Sequence, residues 1–349
     1  MAASLIPQSL KDLTGRAQPF LALAPMQDVT DHAFWKLIAS YGGPDLYFTE
    51  YFRVTRDSRL DRHILRSITD NPTSRPAIAQ MIGNDIAAMT RTARELQNHA
   101  VAGIDLNLGC PAPVVYRKCA GGGLLRDLPR IDGILSALRQ AITEVPFTVK
   151  TRLGFDHPDE FDGLLEVFSK HKIDLLTIHA RTVREGYRDV VHYEKIRQAA
   201  RFLDVPILAN GSIDSPTAAR ELIEQTGASG WMIGRGAIRN PWIFEQIRAA
   251  LAGNPPLLPT GRDVLDYIHT LYASVSTPGV SEQSQVHRMK KYLNFIGVGV
   301  DLDGSFLHAI RRVDSHAGFF AVCESHLDHN EPLTLESLPF SSRTLVEQE

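Results

Sequence analysis

The sequence predicts an α/β protein: a closed (β/α)8 barrel of the TIM type followed by a smaller all-helical domain. Three observations carry that prediction. Eight short apolar runs recur before residue 234, and helical patterns separate them. Most of the runs are continuously apolar, as expected of strands covered on both faces. No GxGxxG follows the first run, where an open dinucleotide-binding sheet would need it.

The expected strands are Pro19–Ala24, Asp45–Thr49, Ala77–Met81, Gly103–Leu108, Phe147–Thr151, Leu175–His179, Pro206–Asn210 and Gly230–Ile233. Helical spacing covers Asp31–Ser40, Asp85–His99, Ile131–Ala141, Asp159–Lys170 and Ser215–Gln225, with Asp31, Asn84 and Ser215 as capping residues. The alternation ends near Ala250, so residues 1–252 are expected to form the barrel. GNPPLLP marks a Pro-rich linker at 253–260, residues 261–330 read as helical, and 331–349 as a polar tail. The length agrees: a barrel takes about 250 residues, and the chain has 349.

Composition excludes several classes. Hydrophobic residues are 44% and charged residues 22%, ordinary for a globular protein. No apolar run is long enough for a membrane helix, and the first residues lack a secretion signal. Cys110, Cys119 and Cys323 are too few for a disulfide framework, and no two lie at CxxC spacing, so neither disulfides nor a metal centre is expected. A reducing, cytoplasmic location and a monomer are expected. The net charge of −3 argues against bulk attraction to nucleic acid, so any RNA contact must come from local basic patches.

Active-site groups of such barrels gather at the C-terminal ends of the strands. Those ends carry Pro25-Met26, Gln80, Asn107 with Cys110, Lys150 with Arg152, His179 with Arg181, Asn210-Gly211 and Gly234-Arg235-Gly236. The glycines after strands 7 and 8 suit a phosphate, with Arg235 supplying charge, although glycines also simply make tight turns. A strand-end lysine needs an anion, either a phosphate or the reduced form of a flavin ring; Lys150 equally suits a Schiff-base aldolase. His179 can donate to such a ring or be a satisfied core histidine. Cys110, just past a strand and ahead of Gly121-Gly122-Gly123, reads as a nucleophile or an acid.

These residues sit in LAPMQDVTD (Leu23–Asp31), FTEY (48–51), AQMIG (79–83), GIDLNLGCP (103–111), VKTRLG (149–154), IHART (178–182), ILANGSI (207–213) and MIGRGAIRNPWIF (232–244). In that order and combination the chain resembles the tRNA-dihydrouridine synthases, FMN enzymes that reduce uridine in tRNA. The resemblance implies that Pro25, Met26, Gln80, Lys150, His179, Asn210, Gly211, Gly234 and Arg235 contact FMN, that Cys110 is the general acid, that Asn107, Arg152 and Arg181 lie near substrate, and that NADPH is the electron donor. Gln27, Pro113 and Tyr116 depart from the residues frequent in that family, and the loop change at Pro113 and Tyr116 bears on the uracil pocket rather than on the chemistry; Arg53 stands where small residues are common elsewhere and is similar to one bacterial subgroup.

Such an enzyme must evert a base and hold the surrounding backbone. Candidate RNA contacts are Arg53, Arg117, Lys118 and Arg184, then Arg288, Lys290, Lys291, Arg311 and Arg312 in the helical part. Arg56, Arg59, Arg62 and Arg66 extend the first run at partly helical spacing, and Arg188 extends the group after strand 6. A charge run is also the usual mark of a solvated helix face. The competing readings are an FMN barrel reducing a free pyrimidine or enone, a non-catalytic RNA-binding protein, and the Lys150 aldolase.

Overall fold

The computed structural model describes residues 9–16, 18–187 and 190–336. Eight parallel strands close into a ring: β1 (Phe20–Leu23), β2 (Leu46–Phe48), β3 (Ala77–Ile82), β4 (Gly103–Leu108), β5 (Phe147–Arg152), β6 (Leu175–His179), β7 (Ile207–Asn210) and β8 (Gly230–Ile233). Each pairs with the next, and β8 returns to β1 with Met232 opposite Ala22. The (β/α)8 barrel is therefore present, with every expected strand in place. A two-residue strand, Phe52–Arg53, adds to the end of β3.

The period of two divides each strand into an inner and an outer face. Ala22, Leu46, Phe48, Ile78, Leu175, Leu208 and Met232 form one buried apolar cluster. Leu10 and Leu13 of the short helix Leu10–Thr14 join it. That helix is held by a capping box in which Ser9 and Asp12 exchange side-chain and backbone bonds.

Helices Ile86–Leu96, Leu128–Ala141, Phe161–Ser169 and Tyr193–Phe202 pack consecutively on one another. The first is capped by Asp85, which accepts the Ala88 N–H at 2.9 Å, and not by Asn84. The Asn84 side chain instead donates to the Lys118 carbonyl at 2.9 Å. Only Arg62 and Arg66 of the arginine run share a helix, Arg62–Thr69, because Asp61 caps there and so sets where the helix begins.

The chain divides into two compact units: residues 1–32, 44–213 and 221–233, and residues 33–43, 214–220 and 234–349. The second contains Gly261–Val275, Glu282–Ile296, Ser305–Ile310 and His316–Leu327, so the helical C-terminal region is also present. Within that unit Pro332 pairs with Thr260, and Leu335 is buried. Arg188 and residues 337–349 lie outside the described residues.

Candidate active site

Strand register brings one column of polar side chains to the inside of the ring. Asp105 stands opposite Thr148, Asn107 opposite Lys150, Lys150 opposite Thr177, and His179 opposite Asn210. An inner face of this kind requires every group to find a partner. Asp105 accepts from Gln80 Nε2 at 2.8 Å and from Thr148 Oγ1 at 2.6 Å. Gln80 Oε1 accepts from Asn107 Nδ2 at 2.8 Å. Lys150 Nζ donates to Asn210 Oδ1 at 3.3 Å, and Asn210 Nδ2 donates to the Met232 carbonyl at 2.8 Å.

Lys150 is the one residue of β5 that is not fully buried in the protein. Its ammonium nevertheless sits deep in protein. That burial, with Arg152 adding repulsion, pulls it down to about 8 against the attraction of Asp105. Burial pushes the Asp105 carboxyl up to about 6, opposed by its bonds to Thr148 and Gln80 and by Lys150.

Cys110 follows β4 on a tightly held loop. Asn107 Oδ1 accepts the N–H groups of Gly109 and Cys110, both at 3.0 Å. The Cys110 carbonyl accepts the Gly122 N–H at 3.1 Å. A Cβ on Gly122 would meet that same oxygen at 2.8 Å, so the glycine is required by close approach. The thiol is partly open to solvent. Burial raises its pKa, against a backbone N–H of Ala112 and the charges of Arg152, Lys150 and Arg53. It is therefore held as a protonated thiol at neutral pH. Cys119 is exposed, with a left-handed φ of 51°, and Cys323 is buried.

The two strand-end arginines are interior. Arg152 is 1% exposed and donates from Nε to the Gly109 carbonyl at 2.9 Å, and from Nη1 to the carbonyls of Thr182 at 2.8 Å and Gly186 at 2.7 Å. It ties the cysteine loop to the loop after β6. Arg181 is likewise buried; its Nη2 donates to Ser212 Oγ at 2.9 Å and its Nη1 to His179 Nε2 at 3.4 Å.

At the ends of the other strands, the Met26 N–H donates to Thr30 Oγ1 at 2.7 Å, in the turn that follows Pro25. Gly211 has φ +135°, and a Cβ there would meet Val191 Cγ1 at 3.0 Å. Its carbonyl accepts from the Tyr193 hydroxyl at 2.5 Å. Gly234 and Arg235 continue directly from β8 and belong to the second compact unit, where Gly234 precedes the short helix Arg235–Arg239.

Of the basic candidates, Arg53, Arg117, Lys118, Arg184, Lys291, Arg311 and Arg312 are exposed. Arg184 pairs with Asp156, Arg288 donates to the Val275 carbonyl, and Lys290 to the Arg311 carbonyl and Asp314. Arg311 itself donates to Asn294.

Sequence reading did not single out several residues that the fold places here. Tyr187, 46% exposed, has its ring 5.8 Å from that of His179 and lies 5.1 Å under the Arg152 guanidinium. Glu50 accepts the N–H of Asp28, and burial raises it to about 7. Asp105 stands two residues before Asn107, so inner-face periodicity alone could have marked it.

The profile of the dihydrouridine synthase (Dus) family matches residues 22–298. The tRNA-dihydrouridine synthase B of Pseudomonas aeruginosa is 38% identical over 232 residues, covering 65% of this chain and 68% of that protein. That of Xanthomonas axonopodis pv. citri is 31% identical over 319 residues, covering 89% and 93%. Among solved structures, histamine dehydrogenase from Rhizobium sp. 4-9 matches with a TM-score of 0.54 at 11% identity, over 89% of this chain and 62% of that one, a likeness of fold alone. The chain belongs to the dihydrouridine synthase family. It is thereby an enzyme, a flavin-dependent oxidoreductase of the class that reduces uridine in tRNA. No helix among the described residues is long and apolar enough to cross a membrane.

Proposed function

We propose that this protein reduces the C5=C6 bond of uridines in tRNA, with FMN as its flavin and Cys110 as the proton donor. The observation that carries the reading is the joint placement of Lys150 and Cys110. An ammonium and a protonated thiol stand at the ends of adjacent strands, the thiol's loop bonded to Asn107 and the ammonium to Asn210.

The residues suit a flavin. Gln80, Lys150, His179 and Asn210 form a set of amide, imidazole and cationic groups that matches ring carbonyls and a phosphate, and Gly211 leaves its backbone bare. Pro25, Met26, Gly234 and Arg235 complete the proposed binding set. The chemistry FMN supplies when bound is hydride donation to uracil C6, with NADPH as the electron source. With a flavin bound, Lys150 would supply positive charge to its ring. Cys110 gives its proton to C5, and its raised pKa keeps that proton available at neutral pH. Asn107, Arg152 and Arg181 support the substrate side, Arg152 by bracing the loop that carries Cys110 and Arg181 by bonding His179 at the end of β6.

Arg53, Arg117, Lys118, Arg184, Arg288, Lys290, Lys291, Arg311 and Arg312 are proposed to contact the RNA backbone, with residues 1–252 as catalytic domain, 253–260 as linker and 261–330 as tRNA-binding domain. The test is reduction of unmodified tRNA by the flavin-loaded protein and NADPH, read as dihydrouridine by mass spectrometry. Product on tRNA and none on free uridine is expected. Equal turnover of free uridine would replace the tRNA reading with a free-pyrimidine reductase.

A further inference from the structure

Asp105 is the deepest charged group of the polar column, with 0% exposure, and it lies outside the proposed catalytic and binding sets. A carboxyl so placed is costly unless it is hydrogen-bonded and paired, so its partners matter. What it does follows from donor and acceptor counting. An ionised carboxylate only accepts. Its Oδ2 therefore faces the Nε2 end of Gln80, at 2.8 Å. That choice turns Gln80 Oε1 toward Asn107, which must answer with Nδ2, again at 2.8 Å. Asn107 is then left with Oδ1 toward the loop, where it accepts the Gly109 and Cys110 N–H groups at 3.0 Å each. An amide has two ends of nearly equal shape, and here one acceptor-only group selects the end at every step. Thr148 and the nearby Lys150 hold the carboxyl itself in place.

We propose that Asp105 is a positioning residue: it sets the amide of Gln80, through Gln80 that of Asn107, and so fixes the backbone that carries the Cys110 thiol. Reversal of the Asn107 amide would aim an NH2 group at two backbone N–H groups and release the loop, and reversal of the Gln80 amide would set its NH2 against that of Asn107 and so favour that outcome. The importance of Asp105 for catalysis rests on Cys110 being the proton donor, whereas its hold on the loop can be measured without turnover.

The experiment uses the full-length protein carrying Cys119→Ser, which leaves Cys110 and the buried Cys323 as the thiols. Iodoacetamide labelling of each cysteine peptide is followed by mass spectrometry across pH, so that the plateau rate reports access to the thiolate and the midpoint its pKa. Asp105→Asn is expected to raise the Cys110 plateau about 5-fold or more, the equivalent of one lost hydrogen bond. Asn107→Ala is expected to do the same, and the double variant to label no faster than Asn107→Ala alone, because both act on one chain of bonds. Gln80→Met breaks the chain at its middle and is the second variant should Asp105→Asn not fold. An unlabelled Cys323 and a single cooperative thermal transition show that the fold is intact. An unchanged plateau in a folded Asp105→Asn or Gln80→Met protein, or additive rates in the double variant, would overturn the proposal. In turnover Asp105→Asn is expected to lower kcat with KM for tRNA unchanged. Faster labelling with normal kcat would remove Cys110 as the acid and leave the positioning role standing.

Discussion

Arg152→Leu is the perturbation whose outcome the structure sets most directly. The guanidinium lies inside the protein with three bonds to carbonyl oxygens of two loops, at 2.9, 2.8 and 2.7 Å. Leucine keeps the apolar stem and removes every donor. Each carbonyl left buried without a partner costs about 1–3 kcal/mol. Each oxygen has a second lone pair and some freedom to tilt toward water, which favours the lower part of that range. The loss of the cation over Tyr187 adds about 0.5–1 kcal/mol. The expected destabilisation is therefore roughly 3–5 kcal/mol, a large share of the ~5–15 kcal/mol by which a domain is stable, and a fall in Tm of about 10 °C. Arg152→Lys reaches fewer of the three oxygens and is expected to fall between. Urea unfolding followed by far-UV circular dichroism, with matched slopes, measures the loss. A loss below about 1 kcal/mol together with a 10-fold weaker Kd for tRNA would refute the structural role and make Arg152 a substrate contact.

Cys110→Ala is expected to keep flavin and tRNA binding and to lose most turnover; in the wild type, kcat should hold through neutral pH and decline above the ordinary thiol range, because burial raises this thiol and only its protonated form donates, and a stopped pH–rate profile on pre-bound tRNA checks both. Lys150, pulled down to about 8, carries its charge below that pH and loses it above, so flavin affinity of the stripped protein should weaken between pH 7 and 9, and Lys150→Met should bind weakly at all pH with no such limb, as read by flavin fluorescence quenching. Glu50, raised to about 7, binds its proton more tightly folded than unfolded, so its contribution makes stability fall as pH rises from about 4.5 to 7; Glu50→Gln should flatten that fall in urea melts taken at several pH values.

The strand ends were legible because βα alternation is a pattern of the chain itself. A buried parallel strand must be apolar throughout, and a polar residue at its C-terminal end stands out. Lys150, His179 and Asn210 were found that way, and Cys110 by its place just past Leu108. The helix cap at residues 84–85 was misplaced by one because Asn and Asp cap equally well in sequence, and only the fold offered Asn84 the Lys118 carbonyl. The arginine run, only partly at helical spacing, lies across strand, turns and helix, because charge spacing says nothing about where Asp61 starts the helix.

By itself the sequence determined the barrel, the family and the chemically distinctive groups at its rim, since hydrophobic period and residue type act locally. Tertiary structure alone decided which of those groups face one another and which are used up. Whether a guanidinium meets substrate or three carbonyls, and which end of an amide points at Cys110, depends on bonds between strands some 25 to 45 residues apart along the chain. Hydrogen-bond capacity is spent in space, and no reading along the chain can say where.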